Sequence, residues 1–332
     1  MRTQGGDGAN GEVLEGALQC EACHVNYPIR GGVPRMVPSN LSADKRKTAD
    51  AFGWEWQHFD ELHREYEAQF LDWIWPLKPP DFKDKVVLDA GCGLGRHAYL
   101  AGGFGAKEVI GIDLSDAVDV AYRHLHELPN AHVIQADIYH PPLRTQGVRQ
   151  FDLIYSIGVL HHLPDPRAGF KSLVRLLKPG GTMFAWVYGH ENNAVVHYGI
   201  NPVRKLVTAR LPPPVVRVLS WPLAVLLQAA VKVVYRPARG HRLFRLLPVR
   251  EYLYSLSAFT FRHNYSIVFD HLVAPTAFYI KRDEFAAWFA EAGLEGVEIS
   301  WRNQNSWRGR GRRPVVTEEA STPSGQLAAG KP

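Results

Sequence analysis

Val86-Val87-Leu88-Asp89-Ala90-Gly91-Cys92-Gly93-Leu94-Gly95 is the stretch on which the reading of the fold turns. A short run of β-branched and Leu residues suits a buried parallel strand. The acid that ends the run and the three alternating glycines behind it predict a sharp turn. Glycine lets the backbone bend tightly and approach a ligand, and the following helix presents its N-terminal amides to that ligand. Any tight strand-to-helix turn can carry glycines, so the flanking chain has to decide.

Downstream, Arg96 to Ala101 starts a helix, and Glu108 to Asp113 is a second strand ending in an acid. Ser115 can cap a helix with Ala117, Ala121 and Leu125 on one face. His132 to Asp137 is a third strand and Phe151 to Ser156 a fourth. Asp165 and Pro166 fit the N-cap and first position of a helix whose buried stripe is Phe170, Leu173, Val174 and Leu177. Pro179-Gly180-Gly181 is expected to turn the chain into a fifth strand, Thr182 to Tyr188. Strands alternating with helices predict an α/β fold: a Rossmann-like, doubly wound, mostly parallel sheet with ligands beyond the strand C-termini. Asp89, Asp113 and Asp137 all fall at such ends. A dinucleotide-dependent oxidoreductase would also place an acid after strand two, but its glycines run G-x-G-x-x-G, whereas here they run Gly91-x-Gly93-x-Gly95.

Five ordered features now coincide: the glycine motif, Asp113, Ala136-Asp137-Ile138, Phe151-Asp152-Leu153-Ile154 and Leu177-Lys178-Pro179-Gly180-Gly181. On them, Val86 to Gly181 resembles the core of class I S-adenosylmethionine-dependent methyltransferases. The resemblance implies S-adenosyl-L-methionine as cofactor, held by Asp89, Gly91, Cys92, Gly93, Gly95, Asp113, Leu114, Asp137, Ile138, Ser156 and Gly158. It implies that Asp89 and the amides near Gly91, Gly93 and Gly95 hold the methionine part, and that Asp113 chelates the ribose hydroxyls. Asp137 with Ile138 would read adenine, while Ser156 and Gly158 would border the sulfonium. An oxygen acceptor also needs a base. His161, after strand four, is the first candidate, with packing as its competing role; His162 is expected to be structural. His190 and Tyr279, and beside them Asp270 and His271, flank the expected opening.

The flanks divide the chain further. Residues 1–16 are Gly-rich and polar and are expected to be disordered. Within 17–48, Leu18 to Val37 resembles the end of a zinc-ribbon-like module found beside some methyltransferases. Cys20 and Cys23 make one knuckle, but there is no second pair, so a β-hairpin docked on the core is expected and no metal. Residues 49–80 read as a helical lid containing Trp54, Trp56 and Phe59; 81–189 are the donor-binding core; 190–278 are a helical cap inserted before the C-terminal part of the core, 279–314; and 315–332 are expected to be a disordered tail.

The cap is basic, with no acid between Glu191 and Glu251, and its Val215 to Val234 is strongly apolar but broken by Arg217, Pro222, Gln228 and Lys232. That pattern predicts an interfacial or buried helix rather than a membrane span. A small or amphiphilic acceptor is therefore expected, one with an anionic group being well suited, methylated at oxygen first and carbon next, with peripheral membrane contact through the cap. Arg308, Arg310, Arg312 and Arg313 cluster without interleaved aromatics, so no nucleic-acid partner is expected. Two alternatives are a methyltransferase of RNA or protein and a catalytically silent donor-binding protein. Net charge is +5 with three cysteines in 332 residues, too few for a disulfide scaffold, and the N-terminal residues hold no apolar run; the expected compartment is the cytoplasm.

Overall fold

Strand pairing decides how these segments assemble. The computed structural model describes residues 2–7, 12–143 and 151–315. Eleven strands form one sheet: β1 (Arg2–Asp7), β2 (Val13–Gln19), β3 (Asn26–Arg30), β4 (Val33–Met36), β5 (Val86–Ala90), β6 (Glu108–Asp113), β7 (Ala131–Ala136), β8 (Phe151–Ile157), β9 (Leu177–Tyr188), β10 (Glu295–Arg302) and β11 (Ser306–Arg312). Their spatial order is β1-β2-β3-β4-β7-β6-β5-β8-β9-β11-β10. From β4 to β9 the neighbours are parallel, while β11 inserts antiparallel between β9 and β10. The strand order reverses beside β5, which is where a doubly wound sheet opens a crevice for its ligand.

Period-two alternation sets the layers. On β5, Leu88 and Ala90 join one core with Ile154, Phe170, Leu173, Phe285 and Trp288. Val87 faces the other, with Phe70, Phe82, Leu153, Tyr155 and Phe184. Both faces are covered, as a parallel sheet requires. The helices are α1 (Ala43–His58), α2 (Tyr66–Trp73), α3 (Arg96–Gly103), α4 (Val118–Leu125), α5 (Pro166–Val174), α6 (Asn201–Leu206), α7 (Pro213–Ala230), α8 (Arg236–Ala238), α9 (Arg250–Leu256), α10 (Phe261–Val273) and α11 (Arg282–Glu291). A π-helical stretch, Val231–Tyr235, joins α7 to α8. The cap α6–α10 is built largely by α7 lying on α10 and packs onto α1, so the lid and cap form one roof over the strand C-termini.

Several expectations are corrected by pairing. Strands β1 and β2 occupy most of the segment expected to be disordered, because an antiparallel partner supplies the backbone hydrogen bonds that a Gly-rich run cannot obtain from side-chain packing. The expected hairpin is a four-strand meander joined to the core by β4 running parallel to β7. Pro179-Gly180-Gly181 lies inside β9 as an irregularity in its pairing with β8, with Gly180 N–H donating to the Arg313 carbonyl. Helix α1 begins at Ala43, capped by Ser42, six residues before the expected start of the helical lid at 49. The expected tail beyond residue 315 lies outside the described residues.

Candidate active site

A cavity of about 340 Å³ opens beyond the C-terminal ends of β5–β9, under the lid and cap. Gly91, Cys92, Gly93, Asp113, Leu114, Asp137, Ile138 and Gly158 line one end. At the other are Glu55, Tyr188, Tyr252, Asp270, His271 and Tyr279, with Phe52, Trp56, Trp73, Trp186 and Phe259 among the wall residues.

The turn after β5 holds its shape through its own amides. Gly91 and Cys92 N–H donate to the Ile112 carbonyl, Gly95 N–H to that of Cys92, and Gly93 N–H to the Asp113 carboxylate at 2.9 Å. Those groups therefore brace the cradle instead of pointing free at a ligand. At Gly91, φ is +85° and an added Cβ would meet Val159 at 2.4 Å, so a side chain is excluded by backbone and neighbour alike. Asp113 also accepts from the Ser115 amide at 2.8 Å and hydroxyl at 2.6 Å. Burial raises its pKa against these bonds. Ionised, it has about four acceptor positions, so three protein donors leave capacity for a sugar hydroxyl.

Asp137 ion-pairs with Lys45 Nζ at 2.6 Å and accepts from Tyr139 N–H at 3.0 Å. Lys45 was missed in the sequence. Its signal was present: Lys45, Thr48, Phe52, Glu55 and Trp56 lie at helical spacing, and all line the cavity once α1 starts at Ala43. Ser156 lies behind the wall, where its buried hydroxyl donates to the Ala90 carbonyl at 2.8 Å.

Asp89 is 1% exposed and neither carboxyl oxygen has a hydrogen-bond partner. Burial pushes its pKa up to about 8. Asp89 lies behind the cavity wall at the start of the glycine turn, where the Arg96 charge opposes the effect of burial; as an acid it suits the ammonium of a bound methionine moiety. In the free protein the sign is the reverse of an ordinary carboxylate. Between the unfolded value near ~4 and about 8, the native state keeps a proton that the unfolded chain releases, so stability falls as pH rises, by about 1.4 kcal/mol per unit at most. Above about 8 the contribution is level. Asp89→Asn is expected to flatten the decline in thermal midpoint from pH 5 to 8 relative to the parent; parallel slopes would refute the raised value.

The histidine pair is arranged differently from the expectation. The turn Leu160–His162 buries both rings, but only His162 is on the cavity wall. Its Nδ1 donates to the Thr276 carbonyl at 2.6 Å, which leaves Nε2 as the acceptor. His161 is fully buried against Tyr188, ring centroids 3.9 Å apart, and burial holds it neutral by lowering its pKa far below the usual imidazole range. His190 is exposed and lies tilted against His197, off the cavity wall, whereas Tyr279, Asp270 and His271 are on it.

Three buried ionisable groups gather here: Glu55 and Asp270 on the cavity wall and Arg204 against Tyr279. Glu55 is fully buried with both oxygens unpartnered, and burial together with the nearby Asp270 charge raises its pKa well above the usual carboxyl range. Asp270 accepts from the Tyr188 hydroxyl at 3.2 Å through one oxygen, while its other, buried oxygen has no partner. Arg204, 1% exposed, has Nε and Nη2 without partners, and its charge and hydrogen bonding oppose the upward shift that burial imposes on the Tyr279 hydroxyl. An uncompensated buried guanidinium is costly unless a ligand anion meets it. Neither Glu55 nor Arg204 was singled out as a site residue, because nothing local distinguishes them from surface charges. Among the described residues no group of three or more His, Cys, Asp or Glu is placed to hold a metal, and Cys20 and Cys23 are free thiols.

The sheet order, the glycine turn and the acids at successive strand ends define a class I S-adenosylmethionine-dependent methyltransferase domain, whose cofactor is S-adenosyl-L-methionine. Residues 88–185 match the family model described as a methyltransferase domain. Among curated relatives, the tRNA U34 carboxymethyltransferase of Cellvibrio japonicus is 32% identical over 154 residues, covering 43% of this chain and 46% of that one. The protein of the same name from Vibrio cholerae is 29% identical over 187 residues, 53% of this chain and 55% of that one. The chain thus spans about half the length of the curated relatives it matches. Among solved structures, an S-adenosylmethionine-dependent methyltransferase from Listeria monocytogenes is 28% identical over 42% of this chain and 56% of that one, with a TM-score of 0.30. The relatives, named for a tRNA nucleotide, overturn both the expected small or amphiphilic acceptor and the expected absence of nucleic acid. Those expectations followed from the greasy cap and the lack of a recognisable RNA module, neither of which constrains what a deep cavity accepts.

Proposed function

We propose that this chain modifies a uridine base of tRNA by transferring a carboxymethyl group from a carboxylated form of the sulfonium donor. The observation that carries this reading is Arg204. Its Nε and Nη2 lack partners, and it lies as a buried cation against Tyr279, a residue of the cavity wall. The 32% identity over 154 residues to a protein named tRNA U34 carboxymethyltransferase supports it. So do the aromatic walls, since a planar base removed from its stack is held by aromatic faces.

The bound donor supplies an electrophilic carbon on a positively charged sulfur. Asp270 would take the proton from the acceptor atom, and Tyr188, whose hydroxyl donates to its carboxylate, orients it; the donor would leave as a neutral thioether. Glu55, whose protonated form burial favours, donates a hydrogen bond to an acceptor carbonyl. The apolar roof excludes water from the displacement. An RNA acceptor sets the reaction in the cytoplasm.

The test is nucleoside mass spectrometry of unfractionated tRNA after incubation with the purified chain and either donor form. A uridine gaining a carboxymethyl group is expected. Arg204→Met should slow transfer from the carboxylated donor by roughly thirtyfold or more, the usual cost of losing hydrogen bonds to a charged group, while binding of S-adenosylhomocysteine is retained. Unmodified nucleosides with both donors, or a variant as fast as the parent, would overturn the reading.

A further inference from the structure

Helix α7 and its continuation to Ala238 form a 26-residue rod whose amphipathicity runs opposite to that of an ordinary surface helix. The side facing the protein is narrow and made partly of small residues. Val216, Ser220 and Ala224 recur every four residues, followed by Val231 and Tyr235, and these are the buried positions. Val216 packs with Phe269 and Val273 of α10, and Val231 with Leu256 and Phe259. The side facing solvent carries the large aliphatics. Val218 is 71% exposed, Leu226 66% and Val233 73%, with Trp221 and Leu223 between them. A contiguous apolar surface of this extent is unusual on a soluble monomer and marks a contact site.

What surrounds it identifies the occupant. Lys205, Arg210, Arg236, Arg242 and Arg245 are exposed in the segments that lead into and out of the rod. No acid occurs between Glu191 and Glu251 to offset them. Protruding Leu246, 79% exposed, lies among these arginines. Exposed aliphatics rimmed by unopposed cations, with an aromatic in the apolar face, match an interfacial helix on an anionic bilayer. RNA phosphates would use the cations but leave the aliphatic face in water. A second copy of the chain would cover the aliphatics but bring two basic rims together. Because Val216 to Tyr235 is packed along its length onto the cap, the rod lies on the domain and presents one side only, which suits a surface contact rather than a span.

We propose that the outer face of α7 docks the protein on an anionic phospholipid membrane, in the plane of the interface. The contact is independent of the proposed reaction. Since the same cap roofs the cavity through Val249, Tyr252, Leu253 and Ile267, docking places the active-site roof against the lipid surface.

The test uses the full chain with vesicles of phosphatidylcholine alone or mixed with phosphatidylglycerol. Co-sedimentation with the anionic vesicles is expected, suppressed by high salt, with little on the neutral ones. Val218→Glu/Leu226→Glu/Val233→Glu should weaken that binding by roughly tenfold or more, since three charges enter the apolar layer. These positions project into solvent, so calorimetric binding of S-adenosylhomocysteine should be unchanged and serves as the folding control; if the triple variant fails it, Val218→Glu alone is read in the same assay. Three outcomes overturn the proposal: a parent protein that stays in the supernatant with anionic vesicles, a folded variant that pellets like the parent, or a variant that keeps vesicle binding but loses dimerisation or tRNA retention. Because donor binding and nucleoside modification are measured without lipid, failure here leaves the proposed reaction standing, and the reverse.

Discussion

Asp113→Ala is expected to weaken S-adenosylhomocysteine binding by about 2 kcal/mol or more, roughly a thirtyfold rise in Kd, measured by calorimetry. Two losses combine. The variant removes the carboxylate available to the ribose hydroxyls, and hydrogen bonds to a charged group are the stronger kind. It also unties the turn, because Asp113 receives the Gly93 amide and both donors of Ser115. Asp113→Asn keeps one acceptor oxygen and so should fall between the parent and the alanine variant. Affinity unchanged in Asp113→Ala would remove Asp113 from the donor site.

Asp270→Asn is expected to lower turnover about 10²- to 10⁴-fold, the range for a positioned general base, while S-adenosylhomocysteine affinity moves by less than about twofold. The contrast with Glu55 sharpens the assignment. Both acids line the same cavity, and burial with the Asp270 charge favours the protonated form of Glu55. Glutamine resembles a protonated carboxyl in shape and in its ability to donate, so Glu55→Gln should retain most of the rate. Asparagine at 270 cannot take a proton. Equal losses in the two variants, or full turnover in Asp270→Asn, would overturn this division of roles.

The parallel core was legible in the sequence. Val86 to Gly95 forms the strand and turn expected of it, and the strands expected at Glu108, His132, Phe151 and Thr182 appear within a few residues of their expected limits. Asp113, Asp137, Ile138 and Gly158 converge on one cavity although spread over more than forty residues. A parallel sheet accounts for that: once each strand end is located, the topology brings all of the ends to one edge. The N-terminal meander was less legible because its strands are short and Gly-containing, and an antiparallel partner compensates for weak local preference. The acceptor half was least legible. His161 and His162 are adjacent, yet only the second reaches the wall, and no periodicity separates two neighbours in a short 3₁₀ turn.

The sequence alone therefore determined the parallel α/β core, the glycine turn after β5 and the order of the acids at the strand ends, because glycine spacing and apolar period are properties of contiguous residues. Tertiary structure alone decided that Glu55 is buried with both oxygens unpartnered, that Arg204 is buried with two nitrogens unpartnered, that His162 and not His161 faces the cavity, and that α7 turns its larger aliphatics outward. Burial and pairing are sums over residues far apart in the chain. The cost of an unpaired charge, and the gain from covering an apolar face, come into existence only when distant segments meet.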